Sequence, residues 1–177
     1  YGSTIADFSG QISSTESANE RCGEGNLFAV FTIERNSGSE NDWLVIVEGG
    51  LNREAWRVDL GETSNVKSTP GIVDINGDGI FEIILAYDTP SGLKVDAWSP
   101  QLSCSEAGNW NADQHSSDLL WTYSEPDLKL GISADSFNAG HLASTQALIA
   151  DLQLDGDPEL VLSTVDDTTD RPTIISI

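Results

Sequence analysis

Short apolar runs bounded by turn-forming residues recur along the whole chain. The runs are rich in β-branched and aromatic residues, as in LFAVFTIE (27–34) and FEIILAY (81–87), and this composition is typical of β-strands. Gly, Asn, Asp, Ser and Pro fill the gaps between the runs, as in DTPSG (88–92). Helical periodicity is weak throughout, so the pattern predicts an all-β chain of antiparallel strands.

The apolar runs fall into three successive repeats, which we place at residues 1–62, 63–125 and 126–177. The predicted strands are, in chain order, 4–10, 27–34, 43–48 and 54–60 in repeat one, 71–75, 81–87, 93–99 and 119–124 in repeat two, and 147–152, 159–165 and 172–177 in repeat three. Repeat three has no fourth run, so we expect its sheet to be incomplete. Trp56 and Trp121 lie in the fourth strands, where packing between neighbouring sheets is the simplest role for a large aromatic side chain.

The segment DINGDGIFE (74–82) separates two predicted strands and carries a regular set of oxygen side chains. Asp74, Asn76 and Asp78 alternate, Gly79 follows, and Glu82 closes the set. Calcium prefers six to eight oxygen ligands on a tightly curled loop, and Gly79 permits the positive φ that such a loop needs. The segment therefore predicts a metal site, although a plain Asn-Gly-Asp-Gly hairpin turn is the alternative.

A second copy of this segment, DLQLDGDPE (151–159), begins 77 positions later. Its members in the same five slots are Asp151, Gln153, Asp155, Gly156 and Glu159. Each copy follows one apolar run and precedes another, so an internal repeat is the stronger interpretation. A third, degenerate copy begins at Asp7, with Ser9 in the second slot, but a polar insertion at 11–25 replaces the rest.

The spacing of these residues is not that of an EF-hand, because Leu85 occupies the position where an EF-hand loop needs a bidentate Glu. The pattern instead resembles the calcium loops of FG-GAP or VCBS-type repeats, which build β-propellers in integrin alpha subunits. The resemblance implies about three consecutive blades of a partial propeller with two Ca²⁺ sites. It implies the ligands Asp74, Asn76, Asp78, Glu82 and the Ile80 carbonyl in the first loop, and Asp151, Gln153, Asp155, Glu159 and the Asp157 carbonyl in the second.

Two departures from the family pattern affect these expectations. Gln153 is neutral and longer than the Asn of the first loop, so the second site is expected to be weaker or rearranged. Two or three blades cannot close a ring. We therefore expect the chain to continue into further blades of a longer protein, or to assemble with other chains.

Cys22 and Cys104 are the two cysteines of the chain, and both lie among polar loop residues. A disulfide in an oxidising compartment is favoured, and two unpaired thiols are the alternative. In an up-and-down blade order, both cysteines would lie at the end of the sheets that carries the acidic loops.

The net charge of −21 limits the classes of partner. Lys and Arg total eight and form no cluster, so nucleic-acid binding is disfavoured. No apolar run reaches 18 residues, so no membrane span is predicted. An acidic surface favours cations or basic partners.

The function that these patterns favour is a non-catalytic, calcium-stabilised module of a secreted or cell-surface protein that binds a protein or a glycan. One alternative is a structural subunit of a cell-surface filament or assembly. A second is a polysaccharide-active enzyme on a propeller scaffold, although His115 and His141 lie in no catalytic motif.

Overall fold

The computed structural model describes residues 3–13, 22, 27–33, 42–50, 52–61, 68–105, 108–112, 118–130, 145–146, 148–155, 158–166 and 172–176. Within these ranges the regular structure is β-strand, apart from a 3-10 turn at Ser9–Gln11. The all-β prediction is confirmed for this part of the chain. A helix long and apolar enough to cross a bilayer does not occur among these residues.

The described residues form sixteen strands, several of them only two or three residues long. They are β1 (Ser3–Ala6), β2 (Ile12–Ser13), β3 (Phe28–Ile33), β4 (Asp42–Glu48), β5 (Arg53–Gly61), β6 (Ser68–Thr69), β7 (Gly71–Val73), β8 (Glu82–Thr89), β9 (Gly92–Trp98), β10 (Leu102–Ser103), β11 (Leu119–Glu125), β12 (Leu128–Leu130), β13 (Thr145–Gln146), β14 (Leu148–Ala150), β15 (Glu159–Asp166) and β16 (Pro172–Ser176).

Three antiparallel sheets follow one another along the chain. The first has the order β1-β3-β4-β5, and the second has the order β7-β8-β9-β11. In the third, β15 pairs with β14 and β12 at different registers and with β16. Trp56 and Trp121 lie in the fourth strands β5 and β11, as predicted. None of the described pairings closes a sheet into a barrel.

The middle sheet is covered on both faces, and the alternation of side chains along β8 demonstrates this. Ile83, Leu85 and Tyr87 belong to the core shared with the first sheet. Ile84 and Ala86 belong to the core shared with the third sheet. Because successive strand residues point to opposite faces, a strand buried on both sides is a continuous apolar run, as FEIILAY is.

Two short parallel ladders link neighbouring sheets, and the sequence patterns did not predict them. β2 pairs with β10, and β6 pairs with β13. The β6–β13 register joins Ser68 to Thr145, which is the same offset of 77 positions that separates Asp74 from Asp151. Strands of two or three residues are too short to produce a periodic pattern.

One strand of each sheet lies beside its counterpart in the next, since β7 contacts both β1 and β14. β6 leads directly into β7, and β13 into β14, so their parallel pairing means that β7 and β14 run in the same direction. The segments that follow β7 and β14 therefore emerge at the same end of the sheets. These segments are the two acidic loops.

Candidate metal-binding loops

Both acidic segments are hairpin loops between two paired antiparallel strands that are consecutive in the chain. The first connects β7 to β8 and is closed by the pairing of Val73 with Glu82. The second connects β14 to β15 and is closed by the pairing of Ala150 with Glu159. In each loop an Asp follows the first strand immediately, and a Glu begins the second strand. The repeat therefore has the same topological position in both sheets.

The two loops also share two hydrogen bonds between equivalent atoms. The final Glu accepts a backbone N–H near the loop start, from Ile75 to Glu82 Oε2 at 2.9 Å and from Leu152 to Glu159 Oε2 at 2.7 Å. The initial Asp accepts the N–H four residues later, from Asp78 to Asp74 Oδ1 and from Asp155 to Asp151 Oδ1, both at 3.1 Å. The first bond joins the end of each loop to its start, and the second joins its start to its centre.

The backbone of the two loops takes the same unusual turn. Gly77 has a φ of 72°, and its counterpart Leu154 has a φ of 58°. The left-handed region is costly for a residue with a Cβ atom, and Leu154 is 87% exposed, so its side chain gains little from burial. The second loop therefore keeps the same backbone conformation at this position, although leucine disfavours a positive φ.

Side-chain oxygens of the first loop gather around its backbone amides. Asp74 Oδ2 accepts from Gly79 N at 2.8 Å, and Asp78 Oδ1 accepts from Ile80 N at 2.7 Å. Asn76 Oδ1 accepts from Asp78 N at 3.0 Å, and its Nδ2 donates to Asp78 Oδ2 at 3.0 Å. Three of the five predicted ligands of this loop, Asp74, Asn76 and Asp78, thus contribute to one compact network. The ligand roles of all five residues stay predictions.

Glu82 differs from the other acids of its loop because it is fully buried, at 0% exposure. Its Oε2 accepts from Ile75 N, and its Oε1 has no hydrogen-bond partner among the described residues. Burial raises the pKa of Glu82, and the charges of Asp78 and Asp74 raise it further, while the hydrogen bond from Ile75 and the nearby Ser99 side chain oppose the rise. A buried carboxylate oxygen without a partner is costly, and a cation would supply the missing interaction.

The second loop brings three carboxylates together. Asp151, Asp155 and Glu159 each offer an oxygen, and these oxygens lie within 4.8 Å of one another. Among the described residues, this is the one set of three such ligands that meets that distance. Gln153 Nε2 donates to Glu159 Oε1 at 3.0 Å, so the side chain of Gln153 also faces the cluster. The cluster could hold a metal ion; Asp157 lies outside the described residues.

Two residues of repeat one, Phe8 and Gln11, also contact the end of the first loop, and no sequence motif marks these contacts. The carboxamide of Gln11 accepts from Phe81 N at 3.0 Å and donates to Phe81 O at 3.0 Å. The Phe81 ring lies 6.5 Å from the ring of Phe8, edge to face. Gln11 follows β1 at the place where the degenerate copy departs from the acidic pattern, and no local motif marks it.

Cys22 and Cys104 form a disulfide with a Cα–Cα distance of 6.2 Å, as predicted. Cys104 directly follows β10, which pairs with β2 beside Gln11, so the bridge lies at the end of the sheets that carries the first acidic loop. Next to it is an open cleft of about 390 Å³. The cleft is lined by Ser103, Cys104, Ser105, Asn109, Trp110 and Asn111.

Other buried acids have structural partners rather than a shared centre. Glu48 Oε2 accepts from Trp110 Nε1 at 2.8 Å and from Arg53. Asp118 Oδ2 accepts from Trp56 Nε1 at 2.8 Å, and Asp96 Oδ2 accepts from the Tyr87 hydroxyl at 2.6 Å. Part of the large acidic content therefore serves to satisfy the polar atoms of core aromatic residues.

Comparison of the chain with family models, with curated proteins and with solved structures finds no match.

Proposed function

We propose that this chain is a calcium-stabilised, propeller-type module of an extracellular or cell-surface protein, and that it binds a partner protein or a glycan without catalysis. The observation that carries the proposal is the pair of acidic loops. They share an offset of 77 residues, two hydrogen bonds and a left-handed residue at the same position.

The donor set of both loops suits a hard dication. Asp151, Asp155 and Glu159 converge within 4.8 Å, where three negative charges repel one another. In the first loop, the buried Oε1 of Glu82 has no partner among the described residues. Calcium would offset the repulsion in one loop and satisfy the buried oxygen in the other. Carboxylate and amide oxygens are its preferred protein ligands.

The arrangement of the sheets supports a propeller rather than a flat sandwich. Each of the first two sheets has four antiparallel strands in simple up-and-down order. The middle sheet packs face to face with both neighbours, and its strand β7 lies beside β1 of the first sheet and β14 of the third. Blades of a propeller have this order around a central axis. Further blades, from a longer chain or from other chains, would complete the ring.

The partner surface that we favour is the end of the sheets that carries the first acidic loop. The cleft beside the Cys22–Cys104 bridge offers the half-buried ring of Trp110 and the exposed side chains of Asn109 and Asn111. Aromatic rings combined with a few polar groups are common in binding sites. The disulfide supports a location in an oxidising compartment.

The alternative of a structural subunit is favoured by one observation at a sheet edge. Ile174 on β16 is 76% exposed, although β16 pairs with β15 along its length. Exposed apolar residues on a sheet edge can mediate association between chains. Size-exclusion chromatography with light scattering over a range of protein concentrations distinguishes the two functions, because the measured particle mass of an assembling subunit would increase with protein concentration.

Calcium-dependent stability tests the proposal. Sites of this kind bind Ca²⁺ with a Kd of roughly 0.1–1 mM, and a ligand at about thirty times its Kd stabilises by about 2 kcal/mol per site. For a domain of this size, that corresponds to a rise in Tm of roughly 4–8 °C per site relative to chelator. Thermal unfolding in EDTA and in excess Ca²⁺ measures this difference.

A matched pair of variants makes the test specific to the loops. The double variant Asp74→Asn/Asp151→Asn should lose most of the calcium-dependent rise in Tm. Asp127→Asn, in an exposed turn far from both loops in the sequence, should keep it. An unchanged Tm in the wild type, or a full rise in the double variant, would refute the metal assignment. Glycan-array and protein pull-down experiments on the calcium-loaded chain then search for the partner.

A further inference from the structure

We propose that Gln11 positions the ligand-bearing end of the first acidic loop and so sets the calcium affinity of that loop, but not of the second. The inference rests on the proposed calcium binding and adds a residue that is itself no ligand. Its basis is the pair of hydrogen bonds between the Gln11 carboxamide and the backbone of Phe81.

The location of Phe81 makes this contact important. Phe81 lies between Ile80, whose carbonyl is a predicted ligand, and Glu82, whose carboxylate is another. Gln11 bonds both the N–H and the C=O of Phe81, each at 3.0 Å. A two-point contact fixes the orientation of the peptide units on either side of Phe81. Those peptide units carry the two ligands at the end of the loop.

The contact also ties the first loop to the neighbouring sheet. Gln11 ends the 3-10 turn after β1, and its Nε2 lies 3.5 Å from the Pro100 carbonyl beyond β9. The ring of Phe81 packs edge to face against Phe8, which is fully buried in the core. The end of the loop is therefore anchored to the first sheet through both backbone and side chain. Such preorganisation lowers the ordering cost of binding.

The second loop cannot form an equivalent pair of backbone hydrogen bonds. Its counterpart of Phe81 is Pro158, which has no N–H to donate and whose φ is restricted by its own ring. The end of each loop is therefore restricted in a different way. The side-chain amide of Gln11 holds the first loop, and the ring of Pro158 restricts the second. The second loop therefore serves as an internal control for any change at Gln11.

The experiment measures Ca²⁺ binding by isothermal titration calorimetry with one loop disabled at a time. With the second loop disabled by Asp151→Asn/Asp155→Asn, Gln11→Ala should weaken binding of Ca²⁺ to the first loop by about tenfold, since two solvent-exposed hydrogen bonds to Phe81 are lost. With the first loop disabled by Asp74→Asn/Asp78→Asn, Gln11→Ala should leave the Kd of the second loop unchanged.

Gln101→Ala is the matched control, because it removes a glutamine side chain whose described contact is one 3.5 Å bond to the Ser99 carbonyl. It should leave both Kd values unchanged. Thermal unfolding in chelator shows whether each variant is folded. If Gln11→Ala lowers the Tm in chelator, the Kd comparison between the loops still separates positioning from a general loss of stability.

The possible results distinguish this inference from the proposed function. If the wild-type chain binds no Ca²⁺, both are overturned. If Ca²⁺ binds the first loop with the same Kd in the wild type and in Gln11→Ala, only the role of Gln11 is overturned. A Kd that rises equally in both loops also overturns it, since Gln11 would then act on the fold as a whole.

Discussion

Substitution of Leu154 by glycine should stabilise the protein, although it removes a large side chain. Leu154 has a φ of 58° in the second acidic loop, where the first loop has Gly77 with a φ of 72°. A left-handed conformation costs a residue with a Cβ atom about 1–2 kcal/mol. Leu154→Gly removes this cost and makes the second loop match the first at this position.

Two opposing effects reduce the gain. Glycine is more flexible in the unfolded chain, which costs about 0.5–1 kcal/mol. Leu154 is 87% exposed, so the lost burial amounts to only a few tenths of a kcal/mol. The net stabilisation of Leu154→Gly is therefore about 0.5 kcal/mol, which corresponds to a rise in Tm of roughly 1–2 °C.

Leu152→Gly provides a matched control in the same loop. Leu152 is 56% exposed and has no positive φ, so its replacement brings no relief of strain. Leu152→Gly removes more buried apolar surface than Leu154→Gly and adds the same flexibility to the unfolded chain. It should therefore destabilise the protein by about 1.5 kcal/mol. The measurable quantity is the difference of about 2 kcal/mol between the two variants.

Urea unfolding followed by tryptophan fluorescence measures this difference, in excess Ca²⁺ and again in chelator. The strain belongs to the backbone of the loop, so Leu154→Gly should exceed Leu152→Gly in stability under both conditions. Equal destabilisation by the two variants would refute the argument, because it would mean that position 154 carries no conformational strain.

Three further predictions concern buried groups. Burial raises the pKa of Glu82, so its contribution to the unfolding free energy of the calcium-free protein is fully present below the ordinary carboxyl pKa and is lost as the pH rises through the raised value. Glu82→Gln should remove this pH-dependent decline in the free energy of urea unfolding. Identical pH profiles for the wild type and Glu82→Gln would contradict the prediction. Glu48→Ala should destabilise by about 2–3 kcal/mol, because it removes the buried acceptor of Trp110 Nε1 and of the Arg53 guanidinium. Glu54→Ala, from a half-exposed ion pair with Arg57, should lower the unfolding free energy by less than about 1 kcal/mol, and similar losses in both variants would contradict the prediction. Replacing both Cys22 and Cys104 by serine should cost about 4 kcal/mol, since the bridge spans 82 positions; a much smaller loss in the unfolding free energy would indicate that the chain-entropy account does not apply.

The order of strands was predictable because the signal is local. The runs that form β3, β4, β8 and β15 are apolar, β-branched and bounded by turn residues, and each of these properties acts over a few neighbouring residues. The acidic loops were predictable for the same reason, since all their side chains lie within nine consecutive positions. The offset of 77 residues between them also matches the register of the β6–β13 ladder.

The contacts of Gln11 and the burial of Glu82 were not predictable in this way. Gln11 meets Phe81 across 70 positions of sequence, and nothing around either residue marks the contact. Glu82 has the same place in its loop as Glu159, yet Glu82 is fully buried and Glu159 is only partly buried. The difference arises from the sheets that cover each loop.

The order of apolar runs and oxygen side chains was enough to establish the strands, the hairpin loops and the kinds of atoms that could bind a cation. The packing of the sheets decided which carboxylates converge, which one is buried with an oxygen that lacks a described partner, and which residue of a distant turn bonds to the loop. The physical reason is the distance along the sequence over which each kind of interaction acts. Strand formation and turn chemistry depend on neighbouring residues, whereas burial and hydrogen bonding across sheets depend on residues that the folded chain brings together.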